Sequence, residues 1–175
     1  MNYFQLFGID SSFDIDVSAL KATYQQLQKS VHPDRFAHAS AQEQLLAVQK
    51  SSMINDAFDT LKQPISRAEY MLTERGVVLA DEQATVGDMS FLMRQMELRE
   101  MLEEILTSND AEAALEEARE TLEGDYQTVL TQLRAALIES TPDSNNLAAD
   151  TVRKLKFYHK LLIELDRIED QVFDD

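Results

Sequence analysis

The sequence predicts an all-α protein in two parts, and three observations carry that reading. Only 4 Gly and 3 Pro occur in 175 residues, while the good helix formers Ala, Leu, Glu and Gln are abundant. Apolar residues recur at spacings of three and four in successive blocks, which lays one apolar stripe along a helix. Charge is uneven: 7 Lys/Arg stand against 9 Asp/Glu in residues 1–75, a net of −2, and 9 against 23 in residues 76–175, a net of −14.

In chain order, Asn2 caps a short helix from Tyr3 to Phe7, and Gly8 stops it. Asp16 caps the next helix, whose stripe is Val17, Leu20, Tyr24, Leu27 and Val31. Lys21, Gln25 and Lys29 share another face of it. Pro33 ends this helix, because a residue before proline avoids the α region. Residues 32–40 show no period and read as a loop. Ser40 and Glu43 form a capping-box pair for a third helix. It runs to about Leu61, with Leu45, Val48, Ile54, Phe58 and Leu61 as its expected core face. Pro64 suits the first turn of a short fourth helix that carries Tyr70 and Leu72 and stops at Gly76.

Residues 76–87 read as a linker between a domain at 1–75 and another at 88–175. Three long helices are expected in the second domain. One spans about Asp88 to Leu106. The next starts at an Asn109/Glu112 capping pair and buries Leu115, Ala118, Leu122, Tyr126, Val129, Leu133 and Leu137. Residues 140–146 break the pattern, and the last helix runs from about Leu147 to Val172 on Val152, Leu155, Leu162, Leu165, Ile168 and Val172. Short connections make neighbours antiparallel, so this part should be a three-helix bundle.

Composition excludes several functions. With 0 Cys there is no disulfide framework, thiolate cluster site or thiol nucleophile. No apolar run approaches the ~18 residues of a membrane span, and no basic-then-apolar leader opens the chain, so a soluble cytoplasmic protein is expected. A net charge of −16 argues against nucleic acid as a partner. The basic run from Arg153 to Lys160 reads as a solvated helix face paired with acids. Carboxylates are plentiful but lie at i, i+3 and i+4, without a nucleophile–base pair or Gly-rich phosphate loop. A di-metal carboxylate bundle wants Glu-x-x-His, and neither His38 nor His159 follows a Glu by three. Neither catalytic residues nor a metal or other cofactor is expected.

The most telling residues are His32-Pro33-Asp34. By itself such a tripeptide fits an Asx-type turn in any helical protein. Here it ends a helix bearing Lys21 and Lys29, and is followed by Arg35. Beyond lie Ile54-Asn55-Asp56-Ala57-Phe58, Leu61, Pro64, Arg67, Ala68 and Tyr70. This arrangement resembles the J domain, a helical hairpin with short flanking helices that docks on DnaK-type chaperones and triggers their ATP hydrolysis. The resemblance implies that His32, Pro33, Asp34, Arg35, Lys21 and Lys29 meet the chaperone.

No Gly/Phe-rich segment or Cys-x-x-Cys repeat follows, as general DnaJ proteins would have. Instead the opening Met-x-Tyr-Phe-x-Leu-Phe-Gly, the segment Phe91-Leu92-Met93-Arg94-Gln95-Met96-Glu97-Leu98-Arg99-Glu100 and the segment from Ala148 to Phe157 resemble the HscB family. These are J-type co-chaperones of iron–sulfur cluster biogenesis, and the resemblance spans the chain. It implies two partners, the chaperone HscA and the scaffold IscU. It also implies that Leu92, Met93, Met96, Glu97, Glu100, Glu104 and Phe157 bind the scaffold. The residues agree with that independently: Phe91, Leu98, Leu102 and Ile105 can face the bundle, while Leu92, Met93 and Met96 occupy another sector. They either pack in a wide core or against the first domain, or form an exposed patch; the resemblance favours the patch. The closer competitor to this reading is a J protein serving another client.

Overall fold

The computed structural model describes residues 1–79 and 88–174. These form seven α-helices and one 3-10 turn, with no strand among the described residues. The all-α expectation holds. The chain divides into two compact units, Met1–Gly76 and Val77–Asp175. Residues 80–87, most of the expected linker, lie outside the described residues.

In the first unit, α1 (Tyr3–Leu6) is held by a reciprocal cap: the Asn2 side chain accepts from the Gln5 N–H at 2.8 Å, and the Gln5 side chain accepts from the Asn2 N–H at 2.9 Å. Gly8 reverses the chain at φ 67°. Helices α2 (Val17–Ser30), capped by Asp16, and α3 (Ala41–Leu61), capped by Ser40, form an antiparallel hairpin. Its seam is part polar. Tyr24 Oη and Gln28 Nε2 each donate to Asn55 Oδ1 at 2.6 Å, Ser51 donates to Gln28, and the Tyr24 and Phe58 rings stack at 4.3 Å. Helix α4 (Pro64–Glu74) starts with proline in its first turn. It is pinned to α1 by the Tyr3 N–H, which donates to Tyr70 Oη at 2.8 Å. Phe4, Leu20, Ile54, Leu61 and Leu72 are buried together at the centre.

Three expectations for this unit need correction. Leu45 and Val48 are not core; they are 57 % and 61 % exposed. The buried stripe of α3 is Ala47, Ile54, Ala57 and Leu61, and at ~100° per residue Leu45 and Val48 fall about 160° and 100° from Ala47. Gln28 of α2 already lies opposite Ser51, so the first turns of α3 outrun their partner helix. Residues 32–40 are not all loop, since Pro33–Phe36 form a 3-10 turn. Val17, the first residue of α2, is exposed, whereas Leu20 and Val31 of the same stripe are buried.

Arg67 is a charged residue in the core of this unit. Its Nε donates to the Leu61 carbonyl at 2.8 Å, a terminal nitrogen donates to the Phe13 carbonyl, and the guanidinium lies over the Phe13 ring. Burial lowers its affinity for the proton, and nearby Asp14 opposes that. It ties the connection between α1 and α2 to the start of α4.

The second unit contains α5 (Met89–Glu104), α6 (Ala111–Ile138) and α7 (Pro142–Phe173) as a three-helix bundle. Phe91, Leu98 and Leu102 of α5 and Ile105 at its C-cap pack with Leu115, Leu122 and Leu133 of α6 and Leu155, Leu161 and Leu165 of α7 in its core. Leu161 takes the fully buried place expected of Leu162. Two boundaries differ from expectation. Asp110, not Asn109, caps α6, accepting from the Ala113 N–H at 3.1 Å. Helix α7 begins at Pro142 rather than Leu147. Thr141 caps it, and Pro142 occupies the first position, where a missing N–H costs no intrahelical bond.

Candidate functional site

The His32-Pro33-Asp34 turn sits where α2 ends. Val31 is buried and anchors it. His32 is extended at φ −57°, ψ 137° and caps the 3-10 turn. Its Nδ1 accepts from the Asp34 N–H at 3.2 Å and lies 3.5 Å from Asp34 Oδ2. With Nδ1 accepting, the neutral ring keeps its hydrogen on Nε2, leaving a donor for another molecule. The side chains are 59 % and 93 % exposed, so the turn displays both groups.

Lys21, Lys29 and Arg35 are all exposed. Among the described residues none of the three makes an ion pair, although the unit carries more acid than base. Beside the turn lies an open cleft of about 610 Å³, lined by Val31, Pro33, Phe36, Ala47, Val48 and Asn55 among others. Leu45 and Leu46 are exposed on the same helix. Sequence reasoning missed this apolar cleft because it assigned Leu45 and Val48 to the core. The signal was the heptad step Ala47–Ile54–Leu61, which leaves both leucines and Val48 off the buried face.

In the second unit α5 displays the other predicted residues. Leu92, Met93 and Met96 are 45, 58 and 66 % exposed, and Glu97, Glu100 and Glu104 are exposed too. The alternative in which these apolar side chains fill the core is set aside. Met89, not predicted, is 70 % exposed and extends the ridge by one turn; its i, i+3, i+4, i+7 relation to Leu92, Met93 and Met96 was legible. On one flank Glu97, Glu100, Glu104 and Glu117 line an open groove of about 540 Å³ between α5 and the start of α6. On the other, Phe157 of α7 is half-buried. Its ring meets Phe91 edge-on at 5.5 Å, and the Arg99 guanidinium lies 5.6 Å from its centre.

Polar contacts fix this face to the bundle. Arg94 makes a two-pronged pair with Asp125 of α6, at 2.8 and 3.2 Å, and also donates to Glu97 at 3.1 Å. The Tyr158 hydroxyl donates to Asp125 at 2.9 Å. Burial, then the Asp125 charge, push the Tyr158 phenol well above its usual range, so it stays a donor. Asp88 caps α5 and accepts from Lys154 Nζ at 3.1 Å, which holds its carboxyl below the usual range. Of the basic run on α7, Lys154 is paired with Asp88 and Arg153 with Asp150.

Among the described residues there is no cluster of His, Cys, Asp and Glu that could hold a metal ion. Nor is any helix among them long and apolar enough to cross a membrane. The geometry suits macromolecular docking at both displayed surfaces.

Comparison with known proteins covers both units. The family described as the HSCB C-terminal oligomerisation domain matches residues 87–166. A co-chaperone protein HscB homolog of Colwellia psychrerythraea is 56 % identical over 175 residues, 100 % of both chains. One from Aeromonas hydrophila is 49 % identical over 174 residues, 99 % of each chain. Among solved structures, the chaperone HscB from Vibrio cholerae aligns with a TM-score of 0.88 at 43 % identity, covering 99 % of this chain and 100 % of that one. The human co-chaperone protein HscB aligns at 0.85 and 27 % identity, covering 97 % and 82 %.

Proposed function

This chain belongs to the HscB family of co-chaperones, and from that membership we propose that it is a J-type co-chaperone in iron–sulfur cluster assembly. Working in the cytoplasm, it stimulates ATP hydrolysis by a specialised DnaK-type chaperone of the HscA kind. It delivers the scaffold protein IscU to that chaperone. It requires no cofactor and turns over no substrate, because the ATP is held by the partner.

One observation carries the reading: the His32-Pro33-Asp34 turn, displayed at the end of α2 beside cations with no ion partner in their own unit. His32 and Asp34 offer a donor and a charge to the chaperone. Lys21, Lys29 and Arg35 steer an acidic surface onto them. Stimulation is then differential binding: the unit binds best to the chaperone conformation competent for hydrolysis. The scaffold is held elsewhere, on α5 and Phe157. There Leu92, Met93 and Met96 offer an apolar centre, and Glu97, Glu100 and Glu104 an anionic border for cationic residues of the scaffold.

The test is the ATPase of purified HscA with this chain added. The wild type should raise the rate, and more so with IscU present. His32→Gln should remove the stimulation while helicity and scaffold binding persist. Undiminished stimulation by that variant would sink the assignment.

A further inference from the structure

Helix α5 shows three of the chain's 7 methionines on one exposed face. Met89, Met93 and Met96 stand at i, i+4 and i+7, which places them within about 60° of one another around the helix. All three are more than half exposed. Of the other four, Met71 is buried, Met53 and Met101 are half-buried, and Met1, 85 % exposed, stands alone at the first residue of the first unit. With 0 Cys, no thiol in the chain competes for an oxidant. Apart from Met1, these three thioethers are therefore its most accessible soft nucleophiles, and they sit together on one helix face.

We propose that Met89, Met93 and Met96 form a peroxide-sensitive site, whose oxidation to sulfoxide turns off the client-binding face of α5. The inference rests on the reading of that face as the scaffold-binding surface. In the reaction each thioether sulfur gives a lone pair to one oxygen of hydrogen peroxide. The O–O bond breaks and an S–O bond forms. The departing hydroxide takes the proton of the transferred oxygen and leaves as water. Each sulfur is oxidised by two electrons and each peroxide reduced by two.

The product side chain is polar and chiral, which disrupts a methionine-rich interface. A contact centre works by excluding water, and a sulfoxide brings a strong acceptor into it that the scaffold must leave unpaired or solvate. The fold survives, because the buried residues of α5 and its C-cap are Phe91, Leu98, Leu102 and Ile105, none of which carries sulfur. The change is reversible by methionine sulfoxide reductases, which makes it a switch rather than damage alone. Met89 joins the surface on the same grounds.

The full-length chain is treated with hydrogen peroxide until mass spectrometry finds sulfoxide at Met89, Met93 and Met96, and is then titrated with apo scaffold. The untreated chain should bind. The oxidised chain should bind at least about tenfold more weakly, the factor expected for losing one good contact at a desolvated centre. Its helicity should be unchanged, and reductase treatment should restore binding. The triple variant Met89→Leu, Met93→Leu, Met96→Leu keeps apolar volume without the sulfurs; whatever its own untreated affinity, peroxide should leave that affinity unchanged. Oxidised chain that binds as tightly as untreated chain overturns the proposal. So does loss of helicity, or equal peroxide sensitivity in the leucine variant, since another methionine would then be responsible. Untreated chain that fails to bind scaffold refutes the assignment of the face itself.

Discussion

Truncating Leu92, Met93 and Met96 together to Ala separates a displayed surface from a core. Full burial of such a side chain is worth ~1.5–3 kcal/mol. Folding hides only about half of Leu92 and less of the two methionines, and alanine keeps the Cβ, so each truncation forfeits roughly 0.5–1 kcal/mol. Alanine returns a few tenths of a kcal/mol per site in helix propensity. The triple variant should therefore lose no more than about 2 kcal/mol of stability. Leu98, on the same helix, is 1 % exposed, and a single Leu98→Ala should cost about 2–5 kcal/mol by leaving a cavity. Urea denaturation followed by helical circular dichroism measures both. Titration of the triple variant with IscU should show at least about a hundredfold loss of affinity, two hot-spot contacts' worth. Direct stimulation of the chaperone's ATPase should survive, while the extra stimulation with scaffold disappears. If the triple variant is less stable than Leu98→Ala, the side chains are core. If it is folded and binds scaffold normally, the client surface lies elsewhere.

Lys29→Glu should slow association with the chaperone, and wild-type affinity should fall with added salt, because exposed contacts are screened over roughly 10 Å at 0.1 M; surface plasmon resonance across a salt series measures both, and a flat response would move the contact off α2. Asp125→Asn should cost about 1–2 kcal/mol, since it removes the charge that holds Arg94 at 2.8 Å while sparing the bond from Tyr158; an unchanged urea midpoint would mean the network holds nothing. Asp88, whose carboxyl is held down first by Lys154 and then by the Phe91 N–H, binds protons less readily folded than unfolded. Its contribution is therefore complete above the ordinary carboxylate pKa of ~3.9 and fades as pH falls through the lower native value. The stability gap between wild type and Asp88→Asn should narrow as pH drops, and a gap that is constant or widens contradicts the assignment.

Much of this was legible in the sequence because local signals and burial agreed. Asn2, Asp16 and Ser40 cap helices as their residue types dictate. Leu98, Leu102 and Ile105 face the bundle as their spacing requires. The misreadings have physical causes. Proline was read as a breaker at 140–146, but after a Thr cap it is a starter. Leu45 and Val48 were read as core because apolar type was given more weight than phase; whether they are covered depends on where α2 stops, a tertiary fact that α3's own residues do not encode. Exposure of Leu92, Met93 and Met96 was left open for a related reason, since a two-faced helix can be covered on either side. The Arg67 role was hidden as well. A lone arginine in a short amphipathic helix gives no sign that it will find the carbonyls of Leu61 and Phe13.

The two units solve one mechanical problem in the same way. On the proposed function each must show groups to a partner without letting them wander, because every side chain or loop that orders on docking subtracts from affinity. In the first unit Val31 is buried directly before His32, proline fixes the next backbone angle, and Gln28 ties the end of α2 to Ser51 and Asn55 of α3. The turn is thereby held although both of its ionisable groups are exposed. In the second unit Arg94 and Asp125 clamp α5 to α6, Tyr158 brings α7 to the same carboxylate, and Arg94 also orients Glu97 on the outward face. Both supports use hydrogen bonds with few alternative partners, whereas the displayed residues have almost none inside their own unit. It follows that changes to the supports should alter stability and displayed geometry together, while changes to the displayed side chains should alter binding far more than stability. That difference can be measured separately in each unit.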